Sequence, residues 1–395
     1  MSPACRMAAA LLLASGSLFS GPTAGFAQEV GVSANRILFG QSAAFSGPAR
    51  ELGRNMRLGI QAAFNEANAR GGVHERRLEL LSLDDAYEPE AAIANTHKLI
   101  HDDKVFALIG AVGTPTSRAS TPVAAAAGVP YIAPFTGAAF LRDEQWRNVI
   151  NLRASYRQEI DTMVSHLTDR LGIDRIGVMY QDDSFGRDTY RSLTRSLGRR
   201  QLKPVSVGVY QRNTTAVKTP LLDLRAQDPG AVILIGAYKP VSSLIAWARH
   251  TGMRAVFMAL SFVGSNALSE ALGPAGVGVF VTQVVPPPTD TTHPITANYN
   301  RALWSFDSDA TPGFVSFEGY LAGRLAIAAL ERCGRDVDRA GFLDSLRLSD
   351  PIDLDGFELR FGDTDNQGSD SVFLTRIGRD GYYHPIETLR GGGRP

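Results

Sequence analysis

The sequence contains very little cysteine and lysine, and its positive and negative charges cancel. Only Cys5 and Cys333 occur among 395 residues, which excludes a disulfide framework, a thiolate zinc site and a CxxC redox pair. The 40 Lys and Arg residues balance 40 Asp and Glu residues, so a nucleic-acid-binding protein that relies on a basic field is also excluded. The length suits two or more packed lobes rather than one small core.

Long apolar runs are also missing. The run Met7–Phe19 follows Arg6 and is about 13 residues long, short of the roughly 20 that a membrane-spanning helix needs. Small residues at Gly25 and Ala27 stand at the positions that a signal peptidase reads. We therefore predict that residues 1–27 are a signal peptide, cleaved near Ala27, and that the mature chain is exported. A retained membrane anchor is the alternative.

From Ile37 onward, short apolar runs alternate with longer segments whose apolar residues recur with a helical period. This alternation is typical of βα units, and it restarts with a helix around Ile160. The sequence therefore predicts an α/β fold with two doubly wound parallel-sheet lobes. The predicted strands are Ile37–Ser42, Leu78–Leu83, Val105–Gly110, Pro130–Ala133, Arg175–Tyr180, Val205–Val209, Ala231–Gly236, Val256–Leu260, Phe357–Phe361 and Val372–Ile377.

The motifs that hold a nucleotide or activate a serine are absent. The first βα turn, residues 42–48, does not have the GxGxxG spacing of a dinucleotide-binding loop. Neither GxxxxGK[ST] nor GxSxG occurs, so nucleotide hydrolysis and α/β-hydrolase chemistry lose their main support. We therefore expect no cofactor and no catalytic residue, and an enzyme on an α/β scaffold is a weak alternative.

Two kinds of side-chain pair still allow a chemical interpretation. His97 and His101 have metal-ligand spacing, but Lys98 stands where a metalloprotease needs Glu, so we favour a solvated helix face and expect no metal. Asp84–Asp85 and Asp182–Asp183 each follow a predicted strand and could act as general acids or bases. Ordinary βα loops carry Asp at the same place, so these pairs do not by themselves predict an enzyme.

Two polar loops follow strands at the edge where open α/β sheets bind ligands. Gly113–Ser117 precedes an alanine-rich helix, and Phe135–Ala138 follows the next strand. Their backbone N–H groups and hydroxyls could bind an anion, assisted by the helix N-terminus. They could equally serve only to cap helices, and the spacing leaves both interpretations open.

Five short motifs then indicate a family by their order and spacing. They are Phe45–Pro48, Gly59–Val73, Asp84–Pro89, Gly128–Pro134 and Asp182–Gly186. With these motifs the chain resembles the periplasmic solute-binding proteins of branched-chain-amino-acid-type ABC transporters, the leucine/isoleucine/valine-binding protein family. The resemblance covers about residues 37–377, essentially the whole mature chain.

The resemblance implies a type I periplasmic-binding-protein fold, in which three crossings join two lobes as a hinge. The crossings are expected near residues 152–154, 284–288 and 355–358. The N-terminal lobe would comprise residues 28–153 plus 286–356, the C-terminal lobe residues 154–285 plus 357–390, and residues 391–395 would form a frayed tail.

The resemblance also implies a function. A small-molecule solute would bind between the lobes of a periplasmic monomer, and hinge closure would present it to an ABC transporter permease in the membrane. No enzyme activity, metal or nucleic-acid partner is implied. A ligand-responsive sensor with the same fold is the alternative.

The family's ligand positions can be transferred to this chain residue by residue. The ligand carboxylate would lie on the two polar loops. An aromatic lid of two residues would come from the second lobe, and two further residues would line the space for the ligand side chain. For the lid and lining residues, core packing is the alternative. The carboxylate residues are Thr114, Thr116, Thr136 and Ala138, the lid residues are Phe185 and Tyr238, and the lining residues are Phe314 and Leu52.

The chain departs from the family pattern in two respects. Ser261 stands where amino-acid binders present an acidic residue to the ligand ammonium, which leaves an amide, a carboxylate or a neutral solute open beside an α-amino acid. Asp182 or Asp183 could substitute for that acid. Tyr87 and Gly113 occupy the positions of a disulfide found in some relatives, so Tyr87 is free to edge the cleft.

Overall fold

The computed structural model describes residues 29–348 and 350–389. The predicted signal peptide, Cys5 and the predicted frayed tail lie outside these ranges. Within them the chain forms two large sheets and one two-stranded sheet, with helices packed against the large sheets. None of the helices in these ranges is long and apolar enough to cross a membrane.

The first sheet has five parallel strands. They are β1 Arg36–Ala43, β2 Arg77–Asp84, β3 Ala107–Ile109, β4 Tyr131–Ile132 and β5 Val149–Ile150, and the helices between them are α1 Arg50–Ala69, α2 Pro89–His97 and α3 Thr114–Ala126. The strand order is β2-β1-β3-β4-β5, so β1 lies between β2 and β3. Because right-handed crossovers on the two sides of β1 cover opposite faces, α2 and α3 pack together while α1 covers the other face.

The second sheet has seven strands, in the order β14-β13-β10-β9-β8-β6-β7. The strands are β6 Ile176–Gln181, β7 Ser206–Tyr210, β8 Ala231–Ile235, β9 Val256–Ala259, β10 Phe280–Gln283, β13 Val372–Ile377 and β14 Tyr383–Leu389. The helices are α4 Tyr156–Ser165, α5 Ser184–Gly198, α6 Lys218–Arg225, α7 Tyr238–His250 and α8 Ser265–Leu272. All five residues of β8 are buried, as expected for a central parallel strand covered on both faces.

Three further α-helices and a hairpin lie between β10 and β13. They are α9 Pro294–Phe306, α10 Phe314–Cys333, α11 Arg339–Leu346, β11 Ile352–Leu354 and β12 Phe357–Leu359. Helices α9 and α10 pack against α1, beside the first sheet. The contact between α1 and α10 is very close: a β-carbon added at Gly59 would lie 1.8 Å from the carbonyl oxygen of Ser316, and one added at Gly319 would lie 2.3 Å from that of Met56.

The chain passes between the two large sheets after β5, after β10 and before β13. The first and third of these passages are hydrogen-bonded to each other. The Asn151 N–H donates to the carbonyl of Asn366 at 2.7 Å, and the Gln158 side-chain amide donates to Asp370 at 2.7 Å. The limits of the two lobes drawn from the sequence remain a prediction.

The α/β fold is confirmed, and each predicted strand has a counterpart whose ends lie within two residues of the prediction. Strand β14 was not predicted, because Pro385 interrupts its pattern and proline is typical of edge strands. Helix α1 begins at Arg50. Its first turn is mostly polar, although Leu52 within it is fully buried.

We predict that Gly59→Ala lowers the free energy of unfolding by about 1–3 kcal/mol, because the new methyl group collides with the backbone of α10. Urea denaturation measures the change. Gly198→Ala is the matched control, since Gly198 lies exposed in α5 with no atom within 4 Å of an added β-carbon. This control should be neutral or stabilise by up to about 1 kcal/mol. Equal stability of both variants would contradict the close helix contact.

Candidate functional site

The polar loops after β3 and β4 meet at the carboxyl edge of the first sheet. The hydroxyls of Thr114 and Thr136 lie 2.7 Å apart, and the Ala138 N–H donates to the Thr136 hydroxyl oxygen at 3.3 Å. All three residues are buried. Because the bond between the two hydroxyls uses only one of their two hydrogens, the other hydrogen remains available to an acceptor outside the pair.

Thr116, the fourth predicted carboxylate contact, uses its hydroxyl within its own turn. The hydroxyl donates to the carbonyls of Val112 and Gly113, as N-terminal helix residues often do. What this turn offers to a ligand is therefore backbone, because the first N–H groups of a helix have no acceptor within the helix. The Thr116 side chain itself is 2% exposed.

Tyr87 and Gly113, the two positions where the resemblance implies a disulfide in some relatives, lie in direct contact. Gly113 has a φ of 99°, and a β-carbon there would lie 2.1 Å from the ring of Tyr87. The Tyr87 hydroxyl accepts a hydrogen bond at 3.3 Å from Gln181, at the end of β6. The aromatic ring thus takes the space of a side chain at residue 113 and joins the loops of the two sheets.

Five aromatic rings meet between the sheets, and we call them the aromatic cluster. Phe262, in the loop after β9, lies at its centre, with ring centroids 4.7 Å from Phe185, 5.6 Å from Phe135, 6.0 Å from Tyr87 and 6.5 Å from Tyr156. Tyr87 and Phe135 follow strands of the first sheet, whereas Phe185 and Phe262 follow strands of the second. The predicted lid residue Phe185 is therefore in the cluster, and its neighbour Phe262 was not predicted.

The Tyr156 side chain carries a buried polar group that has no protein partner among the described residues. Its hydroxyl makes no hydrogen bond there, although the residue is 3% exposed. Its backbone N–H donates to Gly137 at 2.8 Å, which fixes the residue against the loop after β4. Burial raises the pKa of Tyr156 to about 12, so the hydroxyl keeps its hydrogen and can donate it.

The other predicted lining residues lie to the side of the aromatic cluster. A β-carbon added at Gly264 would lie 2.5 Å from Leu52 and 3.9 Å from Tyr238, so both side chains pack at the start of α8. The Tyr238 hydroxyl is buried and has no hydrogen-bond partner in the described part of the chain. Phe314 meets the edge of Tyr383 instead, at 5.8 Å between ring centroids. These three residues remain proposed ligand contacts.

A fully buried arginine lies beside the aromatic cluster, in the passage after β5. Arg153 donates through Nη2 to Glu159 at 3.1 Å and to the Ser261 hydroxyl, and its Nη1 lies 3.5 Å from a Glu318 oxygen. Burial disfavours its charge, but Glu318 and Glu159 outweigh that effect and raise the pKa of Arg153. Its guanidinium also lies over the ring of Phe135, 5.0 Å from the centroid.

Both carboxylate oxygens of Glu159 are fully used by the protein. They accept from the Ser261 N–H at 2.9 Å, the Ser261 hydroxyl at 2.9 Å, the Thr282 hydroxyl at 2.6 Å and Arg153. At the position where the resemblance implies an acidic residue, this chain therefore has Ser261, whose hydroxyl is bonded to Glu159 on α4. The Ser261 hydroxyl is committed to this network, and Glu159 has no free oxygen for a ligand.

Glu318, on α10, is a second buried carboxylate with far fewer contacts. It is 3% exposed, and within the described residues its nearest charged partner is Arg153 at 3.5 Å. Burial raises the pKa of the Glu318 carboxyl to about 7, although the Arg153 guanidinium opposes this shift. Glu318 was not predicted from the sequence.

The aspartate pairs considered in the sequence shape loops instead. Asp84 accepts from the backbone of Phe45 at 2.8 Å and Ala86 at 2.9 Å. Asp183 caps α5 through the N–H groups of Phe185 and Gly186, and Asp182 forms an exposed ion pair. Both Asp182 and Asp183 therefore have partners within the protein. The rings of His97 and His101 stack on an exposed helix face with centroids 5.6 Å apart.

We predict that Glu318→Gln flattens the pH dependence of stability. The folded state raises the Glu318 pKa from 4.5 to about 7, so the stability that this group contributes is full below about pH 4.5 and is lost as the pH rises towards 7. Thermal unfolding at several pH values tests this. Glu331→Gln, at an exposed position of the same helix, should keep the wild-type profile. A wild-type profile in Glu318→Gln would contradict the burial of an ionisable carboxyl there.

Comparisons with known proteins agree with this architecture. A family model described as "Periplasmic binding protein" matches residues 37–382. The structure of a possible leucine/isoleucine/valine-binding protein from Rhodopirellula baltica SH 1 is 37% identical, covers 93% of this chain and 100% of that chain, and has a TM-score of 0.85. A substrate-binding periplasmic protein from Ralstonia solanacearum is 28% identical, covers 88% of this chain and 99% of that chain, and has a TM-score of 0.84.

A curated relative, the Leu/Ile/Val-binding protein homolog 2 of Brucella abortus (strain 2308), is 25% identical over 256 residues, which is 64% of this chain and 68% of the relative. The family match spans nearly all of the described residues, and the two sheets superimpose on those of solved members. The chain therefore belongs to the periplasmic binding proteins of the branched-chain-amino-acid type, a family of solute-binding proteins and not of enzymes.

Proposed function

We propose that this chain is an extracytoplasmic solute-binding protein that captures a small polar solute between its two sheets and delivers it to an ABC permease. In this proposal the predicted signal peptide exports the chain to the periplasm, where it works as a monomer and leaves the solute chemically unchanged. Family membership supports the general role. The polar loops at the carboxyl edge of the first sheet support the place of binding.

The observation that carries the proposal is the unused hydroxyl hydrogen of the Thr114–Thr136 pair. It lies at the N-terminus of α3, where unpaired N–H groups and the helix dipole favour a negative charge. The unpaired hydroxyl of Tyr156 lies against the same loop and supplies another buried donor. A carboxylate suits these donors, because it accepts several short, charge-assisted hydrogen bonds at once.

Glu318 supports an α-amino acid as the preferred solute. A buried ammonium needs a charge partner, and the serine at position 261 cannot provide one. The Glu318 carboxylate is buried and weakly paired, so a ligand ammonium would stabilise its charged form. The aromatic cluster then favours an apolar side chain. A carboxylate or an amide without the ammonium is the alternative solute.

Hinge closure is the proposed mechanism. The loops of the two sheets already touch: Arg118 pairs with Asp188 at 2.8 Å, and the Asn213 amide donates to the Ala86 carbonyl at 3.0 Å. In the proposal an open form binds the solute on the loops of the first sheet, and Phe185 and Phe262 then close over it. The solute shifts the equilibrium towards this closed form because only there does it contact both sides.

We predict that leucine stabilises the protein more than 4-methylpentanoate, which has the same carbon skeleton without the ammonium. A ligand at a hundred times its dissociation constant adds about 2.7 kcal/mol, which a thermal-shift assay detects. Glu318→Gln should abolish the preference for leucine and leave the effect of 4-methylpentanoate unchanged. A wild-type preference in Glu318→Gln would exclude Glu318 as the ammonium partner. If no amino acid, carboxylate or amide shifts the melting temperature, the proposed solute class is wrong.

We also predict that Thr114→Val weakens binding of the carboxylate about 10- to 100-fold, the usual cost of a lost hydrogen bond to a charged group. Isothermal titration calorimetry with the solute identified above measures the change. Thr194→Val is the control, because Thr194 lies on α5 and bonds only to its own helix. Equal loss of affinity in both variants would point to a general effect on folding, and no loss in Thr114→Val would contradict the carboxylate position.

A further inference from the structure

A second pocket, of about 630 Å³, lies beside the hinge. We call it the side pocket; the lining residues on which the argument depends are Glu270, Asn300, Trp304, Phe314, Asp380 and Tyr382. Its volume falls in the range of small-molecule sites. We infer that the side pocket binds a small organic ammonium ion with an aromatic or other apolar body. This inference is independent of the proposed solute site.

Asn300 provides a buried acceptor that the protein leaves unused. The residue is 5% exposed, and its side-chain nitrogen donates to the Pro288 carbonyl at 3.1 Å. Because a carbonyl can only accept, this bond fixes the orientation of the amide. The amide oxygen has no partner among the described residues. A buried acceptor without a partner costs free energy, so this oxygen favours a ligand that donates a hydrogen bond.

The charged residues of the side pocket indicate that this donor should be positively charged. Among the described residues that line it, Glu270 and Asp380 are the only charged ones, and none is lysine, arginine or histidine. Asp380 pairs with His384 at 2.9 Å, whereas Glu270 has no described ion pair. Two carboxylates and a free amide oxygen are all acceptors, so the site opposes anions and favours a cation with N–H groups.

Aromatic rings form the walls of the side pocket. Trp304 is 50% exposed and Tyr382 is 63% exposed, which is unusual for such large apolar side chains. Phe314 is buried and Tyr383 is half-buried, and their rings are perpendicular at 89°. Ring faces attract a cation and also pack against an apolar body, so walls and acceptors favour the same kind of ligand.

The side pocket differs from the proposed solute site in residues and in chemistry. The two share only Phe314 among the predicted ligand contacts, and none of Thr114, Thr136, Phe185 or Ser261 lines the side pocket. Its walls come from α8 and the β13–β14 turn on one side and from α9 on the other. A bound cation would thus contact elements packed against both sheets.

Three matched probes test the inference on the purified protein by isothermal titration calorimetry. Phenethylammonium, 2-phenylethanol and 3-phenylpropanoate have the same aromatic body and carry a positive, a neutral and a negative end. We expect saturable binding of phenethylammonium, binding of the alcohol at least about threefold weaker, and no binding of the carboxylate in the side pocket. Equal binding of all three probes that Trp304→Ala weakens equally, or no binding of phenethylammonium up to roughly 10 mM, would overturn the inference.

Matched variants locate the binding. Trp304→Ala and Glu270→Gln should each weaken phenethylammonium binding about three- to fivefold. Trp247→Ala is the control for the first, since Trp247 is 46% exposed on α7 and does not line the side pocket. Glu318→Gln tests the other site, because Glu318 is the proposed ammonium partner of the solute and does not line the side pocket. Loss of phenethylammonium binding in Glu318→Gln would place the probe in the solute site and overturn the inference, as would wild-type affinity in Glu270→Gln.

Discussion

The buried ion pair between Arg153 and Glu159 determines where the loops between the two sheets lie. Removing two charges from water costs several kcal/mol per ion, so such a pair needs further hydrogen bonds to its charged groups. Here Glu159 accepts from Ser261 and Thr282 as well as from Arg153. Ser261 is thereby fixed, and with it the adjacent Phe262 at the centre of the aromatic cluster. The positions of the rings in the aromatic cluster therefore depend on this buried ion pair.

The site combines rigid polar groups with packed aromatic rings. The donors at Thr114, Thr136 and Tyr156 lie at the ends of helices and strands, where neighbouring backbone holds them in place before any ligand arrives. The rings of Phe185 and Phe262 belong to the other sheet and contribute contact area instead of direction. Glu318 belongs to neither kind of group: it is a buried, ionisable carboxyl whose close charged partner is Arg153. In the proposed site, the polar groups would orient the solute, the aromatic rings would pack against it, and Glu318 would select its charge.

The sequence was sufficient to predict the βα units, because a run such as Ala231–Ile235 has no other plausible place than a buried strand. Thr114, Thr136 and Phe185 were identified through the family resemblance. Glu159 and Glu318 could not be predicted, since glutamates on helices are normally exposed and their partners are distant in sequence.

A weak signal for one part of this network existed. Arg153, Tyr156 and Glu159 are spaced three residues apart beside a predicted crossing. Each side chain needs a hydrogen-bond partner when it is buried. Phe262 gave no such signal, because an aromatic residue after a strand resembles core packing. The side pocket could not be foreseen either, since Asn300 and Trp304 share a face of α9 but Asp380 and Tyr382 come from a strand turn far along the chain.

The hydrogen bonds between the first and third passages have a mechanical consequence. Asn151 is bonded to Asn366, and Gln158 to Asp370, so the two segments cannot slide past each other without breaking these bonds. Two strands joined side by side bend together but resist twisting. In the proposed hinge closure the lobes should therefore rotate about a single axis. Different solutes would then change the population of the closed form, and not its structure.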